Sequence, residues 1–299
     1  MKTRSNLTTA LVQMSCCADR TINEQHIEEQ VRAAAAQGVQ LVLLQELHNT
    51  LYFCQSEDEA CFDFAEPVPG PGTEQLSALA GELELVIVAS LFERRAAGIY
   101  HNTAVVLERD GSLAGRYRKM HIPDDPGYHE KFYFTPGDPG FQPIRTSVGT
   151  LGVLICWDQW FPEAARLMTL AGAELLLYPT AIGWDPGDAG AEQQRQLNAW
   201  QTVQRAHAIA NGIPVLVCNR TGFEADNSGR SAGIRFWGNS FVAGPQGEIV
   251  ANASTDSPEL LVTSIDMQRS EEVRRSWPYL RDRRIDAYDE LSLRFRDTP

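Results

Sequence analysis

A layered α/β fold with mixed sheets is predicted by three features of the sequence. Short, nearly all-apolar runs recur at 39–44, 85–91, 151–155, 175–178 and 215–218. Continuous rather than alternating apolarity marks strands covered on both faces. Stretches with helical spacing lie between several of them, the grammar of helices packed on sheets. Two hairpin signals, Arg109-Asp110-Gly111-Ser112 and Gly244-Pro245-Gln246-Gly247, add antiparallel neighbours.

The elements follow in order. Thr21-x-x-Glu24 reads as a capping box, and apolar residues recur at Ile22, Ile27, Val31 and Ala34–Ala35 before Gly38 stops the helix. The strand 39–44 ends at Gln45-Glu46. A helix over 75–81 precedes the strand 85–91, and strands over 102–108 and 113–117 form the first hairpin. In the second half the strand 151–155 runs into Cys156, a helix starts at Pro162 and stops at Gly172, and the strand 175–178 closes at Pro179. A long helix over 191–211 ends at Asn211-Gly212. Strands at 215–218, 241–243, 248–252 and 260–265 complete the pattern, and the tail after Gln268 is charged and helical in part. The segment 119–145 is rich in Pro, Gly and aromatics without regular periodicity, and loops of that length in compact domains are usually functional. No short repeat or low-complexity linker divides the chain. It reads as one domain over 1–299, with a core over about 7–267 and an extension over 268–299.

A chain of 299 residues can bury roughly three quarters of its unfolded surface, so no staples are required. Its 43% hydrophobic and 22% charged residues are those of an ordinary globular protein. The 26 basic against 39 acidic residues give a net charge of −13, which argues against a nucleic-acid partner and mildly favours a cationic ligand. The six cysteines (16, 17, 54, 61, 156, 218) form no C-x-x-C pair. The apolar patch Ala10-Leu11-Val12 is too short for a signal segment, and no run approaches the ~20 residues of a membrane span. A cytoplasmic protein with reduced thiols is expected.

Three strand ends carry reactive side chains: Glu46 in Leu-Leu-Gln-Glu, Lys119 in Tyr-Arg-Lys-Met-His, and Cys156 in Leu-Ile-Cys-Trp-Asp-Gln-Trp-Phe-Pro-Glu. Sites in α/β sheets collect at the carboxyl ends of strands. A strand–turn–helix junction also exposes a nucleophile and aims backbone N–H groups at its target. Each residue also has an ordinary reading: Cys156 as a small core residue, Lys119 and Glu46 as solvated strand ends. Their joint occurrence is what points to chemistry. A thiol attacking a carbonyl needs a base, for which Glu46 is the candidate. The developing oxyanion needs donors, supplied by Lys119 and the N–H of Trp157. No H-E-x-x-H, P-loop or dinucleotide-binding pattern occurs among the six His and the glycines, so no metal and no cofactor are expected.

These three motifs, in this order and at separations of 73 and 37 positions, resemble those of the nitrilase superfamily of carbon–nitrogen hydrolases. The likeness extends over about 7–290. Its finer segments resemble the N-carbamoylputrescine amidase branch: Tyr52-Phe53-Cys54-Gln55, His121-Ile122-Pro123-Asp124, Gly127-Tyr128-His129-Glu130, Tyr178-Pro179-Thr180-Ala181 and Gly238-Asn239-Ser240-Phe241. Gln45 departs from it, standing where the superfamily commonly has Pro.

The resemblance implies a four-layer α-β-β-α sandwich with mixed sheets and a Glu46–Lys119–Cys156 triad. It also implies a positioning role for Glu130, which by itself reads as a surface residue beside Lys131. It assigns Trp157, Asp185, Tyr52 and His121 to the substrate site, although His121 alone reads equally as a surface or structural residue. Relatives that act on N-carbamoyl amino acids carry Arg soon after the nucleophile, whereas here Trp157, Asp158, Gln159 and Trp160 follow Cys156 and the first Arg is Arg166. An aromatic and acidic neighbourhood suits a small cationic substrate. Asp185, otherwise a turn residue before Pro186, is implied as the reader of the distal amine, with Asp125, Asp158 and Asp188 as further candidates. The implied reaction is hydrolysis of N-carbamoylputrescine to putrescine, ammonia and carbon dioxide, in putrescine synthesis from agmatine. A nitrilase-type amidase or an N-carbamoyl amino acid amidohydrolase is the alternative, and a non-catalytic scaffold the third reading. A homo-oligomer is implied, with the helix after Cys156 and the C-terminal extension as contacts.

Overall fold

Side-chain alternation in the strands sorts apolar residues onto two faces. Leu41 and Leu43, Val86 and Val88, Ala104 and Val106 join one buried cluster, while Val42 and Leu44, Ile87 and Ala89, Val105 and Leu107 join another. A sheet buried on both faces must be covered twice, and the computed structural model, which describes residues 6–296, shows how. The first six-stranded sheet has the spatial order Glu259–Asp266, Asn6–Gln13, Leu41–Leu44, Val86–Ala96, Ile99–Leu107, Leu113–Arg118. Its three middle members Asn6–Gln13, Leu41–Leu44 and Val86–Ala96 are parallel, and the others pair antiparallel. The second has the order Ile249–Asn252, Phe241–Ala243, Val215–Cys218, Leu175–Pro179, Gly149–Val153, Ile144–Thr146, again with a parallel centre.

Between the sheets lies the larger core, where Leu11, Leu41, Val86 and Val106 meet Val153, Leu175, Leu177, Val217 and Phe241. Helices Arg20–Ala35 and Pro71–Leu83 cover the outer face of the first sheet through Ile27, Val31, Ala34, Leu76 and Leu79. Helices Pro162–Leu170 and Gly190–Asn211 contribute Ala164, Met168, Trp200 and Ala208 on the second. The layer order is therefore helix, sheet, sheet, helix. A small third sheet, Thr221–Glu224, Ile234–Trp237 and Gly183–Trp184, pairs antiparallel, and its central strand carries the aromatic-cluster members Ile234 and Phe236.

Several expectations are corrected. The first helix is capped by Asp19, whose carboxylate accepts from Thr21 N at 2.9 Å, and Glu24 pairs with Arg20 instead of closing a capping box. Ile22 is exposed, and the buried stripe is Asn23, Ile27, Val31 and Ala34. The helix over 75–81 is longer, Pro71–Leu83, begun by Pro at its first turn. The strand Asn6–Gln13 was missed because Thr8, Thr9 and Gln13 break its apolar run. Thr9 and Gln13 are nonetheless buried, and the Gln13 amide donates to Ser254 O and Ser257 O. The 119–145 segment holds a short helix Glu130–Tyr133 and the edge strand Ile144–Thr146. No helix among the described residues is long and apolar enough to cross a membrane. All six cysteines are unpaired.

Candidate active site

Strand ends deliver the reactive groups. Glu46 follows Leu41–Leu44, and its N–H donates to Thr180 O at 3.3 Å, tying the ends of the two sheets together. Lys119 follows Leu113–Arg118 and is held by Lys119 N donating to Asn102 O at 2.9 Å. Cys156 opens a short 3₁₀ turn, Cys156–Trp160, which follows Gly149–Val153 after Leu154 and Ile155. Its φ of +42° is a left-handed conformation that a side-chain-bearing residue rarely adopts, the kind of strain found at nucleophile turns. Asp158 fixes that turn, accepting from Ile155 N at 2.8 Å and Tyr117 OH at 2.9 Å.

Three charges meet in full burial. Lys119 Nζ donates to Glu46 Oε1 at 2.8 Å and to Glu130 Oε2 at 2.6 Å, and none of the three is exposed to solvent. Asn102 Nδ2 donates to the same Glu46 Oε1 at 2.7 Å, and Tyr52 OH to Glu130 Oε1 at 2.7 Å. Glu46 Oε2 is buried and has no hydrogen-bond partner among the described residues. Buried carboxylate oxygens are rarely left so, and a vacant acceptor in a polar cluster is where a proton can be received. Burial works against the Lys119 ammonium, but the carboxylates of Glu130 and Glu46 outweigh it and hold its pKa well above the ordinary lysine value. Burial pushes Glu130 up to about 7, with Lys119 opposing and Glu46 adding to the rise. Burial, reinforced by the Glu46 charge and opposed by Lys119, holds the Cys156 thiol well above its usual range. The resting nucleophile is therefore a thiol and not a thiolate, so its proton must leave as it attacks.

Cys156 opens on a cavity of about 370 Å³. Trp157, Trp160, Trp237 and Tyr128 supply aromatic walls, and Asp125, Asp185 and Asp188 supply carboxylates; no Lys or Arg among the described residues lines it. Asp185 is exposed and accepts from Gly187 N, while Asp188 is half-buried and accepts from Gln196 Nε2 at 3.1 Å. The Trp157 N–H sits in the first turn after Cys156, where amides have no partner within the helix.

Of the residues expected at the site, Glu46, Lys119, Glu130 and Cys156 converge, and Trp157 and Asp185 line the cavity. Three are corrected. Tyr52 is buried behind Glu130 and does not line the cavity. His121 lies outside the lining, its Nδ1 2.7 Å from Asp158 Oδ1 and its ring stacked on Phe161 at 3.7 Å. Asp158 is consumed by those structural bonds. Asn102 and Arg220 went unnoticed; Asn219-Arg220 does follow the apolar strand Val215–Cys218, the same strand-end signal that marked the other groups.

The carbon–nitrogen hydrolase model matches residues 8–275, nearly the whole chain. The chain belongs to the carbon–nitrogen hydrolase family. A curated N-carbamoylputrescine amidase from Solanum lycopersicum is 44% identical over 95% of this chain and 94% of its own length. A citrullinase from Francisella tularensis is 38% identical over 97% of this chain and all of its own. The crystal structure of a carbon–nitrogen hydrolase from Helicobacter pylori superposes with a TM-score of 0.95 at 53% identity, covering 97% of this chain and all of that one. As a family member the chain is an amidohydrolase with the nitrilase-type α/β fold.

Proposed function

We propose that this hydrolase converts N-carbamoylputrescine to putrescine, ammonia and carbon dioxide. The observation that carries the choice of substrate is the cavity at Cys156, with three carboxylates and four aromatic rings in its wall and no basic side chain among the described residues. A C4 ureido amine brings one ammonium at the end of an alkyl chain, which carboxylates and ring faces stabilise. An N-carbamoyl amino acid brings a carboxylate, which this wall repels. The name of the tomato relative supports the same reading.

In the proposed mechanism Glu46 takes the thiol proton through its vacant Oε2 while Sγ of Cys156 attacks the ureido carbon. Lys119 and the Trp157 N–H receive the oxyanion. Collapse expels ammonia, which takes the proton from Glu46, and leaves an N-alkylcarbamoyl thioester on Cys156. Glu46 then deprotonates water for attack on that carbonyl. The thiol is regained and a carbamate departs, losing carbon dioxide to give the amine. Glu130 keeps Lys119 in place. The enzyme is further proposed to work in the cytoplasm, on its six free thiols, and as a homo-oligomer. Exposed Leu167, Leu170 and Ile209 on the outer helices and Trp277 and Tyr279 beyond them are the surfaces for that contact. A solution mass of a single 33.2 kDa chain would remove the oligomer from the proposal.

The test is ammonia release from N-carbamoylputrescine beside an N-carbamoyl amino acid and citrulline. Preference for the first is expected. Preference for either of the others overturns the substrate. Cys156→Ala should abolish turnover with the fold intact, and mass spectrometry of quenched wild type should show the adduct on Cys156. Residual activity above about a hundredth, against the 10²-fold or larger cost of a lost catalytic group, would refute the nucleophile.

A further inference from the structure

Arg220 is a fully buried cation that touches neither the cavity nor Cys156, and nothing in the mechanism above uses it. Its guanidinium gathers backbone carbonyls. Nη2 donates to Glu46 O at 3.1 Å and Leu47 O at 2.9 Å, and Nη1 donates to Thr50 O at 2.9 Å. The other bond of Nη1 goes to Glu224 Oε1 at 2.6 Å. Three carbonyls converge here because the chain turns sharply on leaving the sheet, through Leu47 at φ +48°. Without a cation those carbonyls would be buried, mutually repulsive and unpaired.

The second oxygen of Glu224 extends the arrangement. Glu224 Oε2 accepts from Tyr52 N at 2.6 Å, and the hydroxyl of the same tyrosine donates to Glu130. Glu130 holds Lys119, and Lys119 holds Glu46. The path closes on itself: Arg220, the Glu46 backbone, the Glu46 carboxylate, Lys119, Glu130, Tyr52, Glu224 and back to Arg220. One buried ion pair, 2.6 Å long, with Glu224 on the small third sheet and Arg220 immediately before the strand Thr221–Glu224, thus holds both carboxylates that grip Lys119.

We infer that Arg220 and Glu224 are a positioning pair for Glu46 and Glu130, acting through backbone carbonyls on one and through Tyr52 on the other. The inference rests on the proposed roles of Glu46 and Lys119. The pair sets the rate of the chemical step and not the affinity, since neither member lines the cavity. A lysine at 220 keeps the charge but offers a single donor head for acceptors that the planar fork meets at two nitrogens.

The experiment compares Arg220→Lys, Glu224→Gln, Tyr52→Phe and the double variant Glu224→Gln/Tyr52→Phe with wild type, each checked for folding by circular dichroism and thermal melting. Arg220→Ala is included and should be the least stable. Arg220→Lys and Glu224→Gln are expected to lower kcat tenfold or more with KM within about threefold, an effect of positioning on the chemical step. The double variant should lose less than the product of its two singles. A raised KM at unchanged kcat, a kcat loss that tracks only the fraction folded, or a fully multiplicative double variant overturns the pair. Alkylation of Cys156 by iodoacetamide is measured in parallel and needs no substrate. If wild type releases no ammonia from N-carbamoylputrescine, the proposed substrate falls. The pair is then decided by alkylation: slowing of tenfold or more in Arg220→Lys supports it, and wild-type rates in both Arg220→Lys and Glu224→Gln overturn it.

Discussion

At the scale of single residues the site is a balance of burial against pairing. A buried ammonium between two carboxylates is stable because each partner offsets the other's desolvation, and taking one partner away leaves a buried charge uncompensated, at a typical cost of about 3–5 kcal/mol. Lys119→Ala should therefore lower the melting temperature as well as kcat, whereas Glu46→Gln keeps an acceptor for Lys119 and should spare stability more. Each should cut kcat by about 10²-fold or more, and the double variant should lose little beyond either single, because groups acting in one step do not contribute additively. Multiplicative losses would show that the two act separately. The thiol makes a second prediction. Burial and the Glu46 charge hold Cys156 in its protonated form, so alkylation by iodoacetamide should still be accelerating above pH 9. A plateau below pH 7 would mean a preformed thiolate and a different division of labour between Lys119 and Glu46.

At the scale of elements, what could be read from the sequence was what local pattern determines. Apolar runs end where parallel strands end, so Glu46 and Cys156 were visible as strand-end residues before any geometry was known, and Lys119 was visible as the residue after the second strand of the Gly111 hairpin. The hairpin turn around Gly111 and the left-handed stop at Gly212 were legible for the same reason. Interactions across 56 and 174 positions, such as Asn102 with Glu46 and Arg220 with the Glu46 carbonyl, leave no periodic trace. The strand Thr221–Glu224, Thr-Gly-Phe-Glu, has no apolar run, and Gly183–Trp184 is two residues long, too short for alternation to carry a signal. The turn after Gly183–Trp184 shows what sequence cannot weigh. Asp185 reaches the cavity but is exposed, and one of its oxygens already accepts from Gly187 N. Water screening and the neighbouring Asp125 and Asp188 dilute its share of amine binding. Asp185→Asn should therefore raise KM for N-carbamoylputrescine by between about 2- and 10-fold with little change in kcat. N-carbamoylbutylamine, which lacks the distal charge, should be insensitive to the substitution. Equal effects on both compounds would make Asp185 a shaper of the turn and shift amine recognition to Asp125 or Asp188.

At the scale of the whole molecule the same buried charges tie the site to global stability. Glu46 and Lys119 follow strands of the first sheet, Glu130 opens the short helix in the loop after Lys119, and Cys156 follows a strand of the second sheet, so the cluster sits where the layers meet. In the unfolded chain Glu130 titrates near 4.5, and in the folded protein burial raises it to about 7. A carboxyl with a raised folded pKa binds its proton more tightly when folded. Its contribution is therefore fully present below about 4.5 and is lost as pH rises through about 7. Each unit of such a shift corresponds to about 1.4 kcal/mol, so the group can tilt stability by a few kcal/mol across that window. Glu130→Gln removes the titration while keeping one oxygen to accept from Lys119 and an amide that can donate to the Tyr52 hydroxyl. The variant need not be more stable than wild type at any one pH, because an amide is a weaker partner for the ammonium. The sign lies in the difference. Melting temperatures measured from pH 5 to pH 8 should show the variant gaining on wild type as pH rises, most steeply between about 5 and 6.5 and levelling off above about 7. A constant gap would mean that Glu130 keeps the same charge across the range and that Lys119, not burial, governs it; a gap that moves the other way would mean that its folded pKa is depressed.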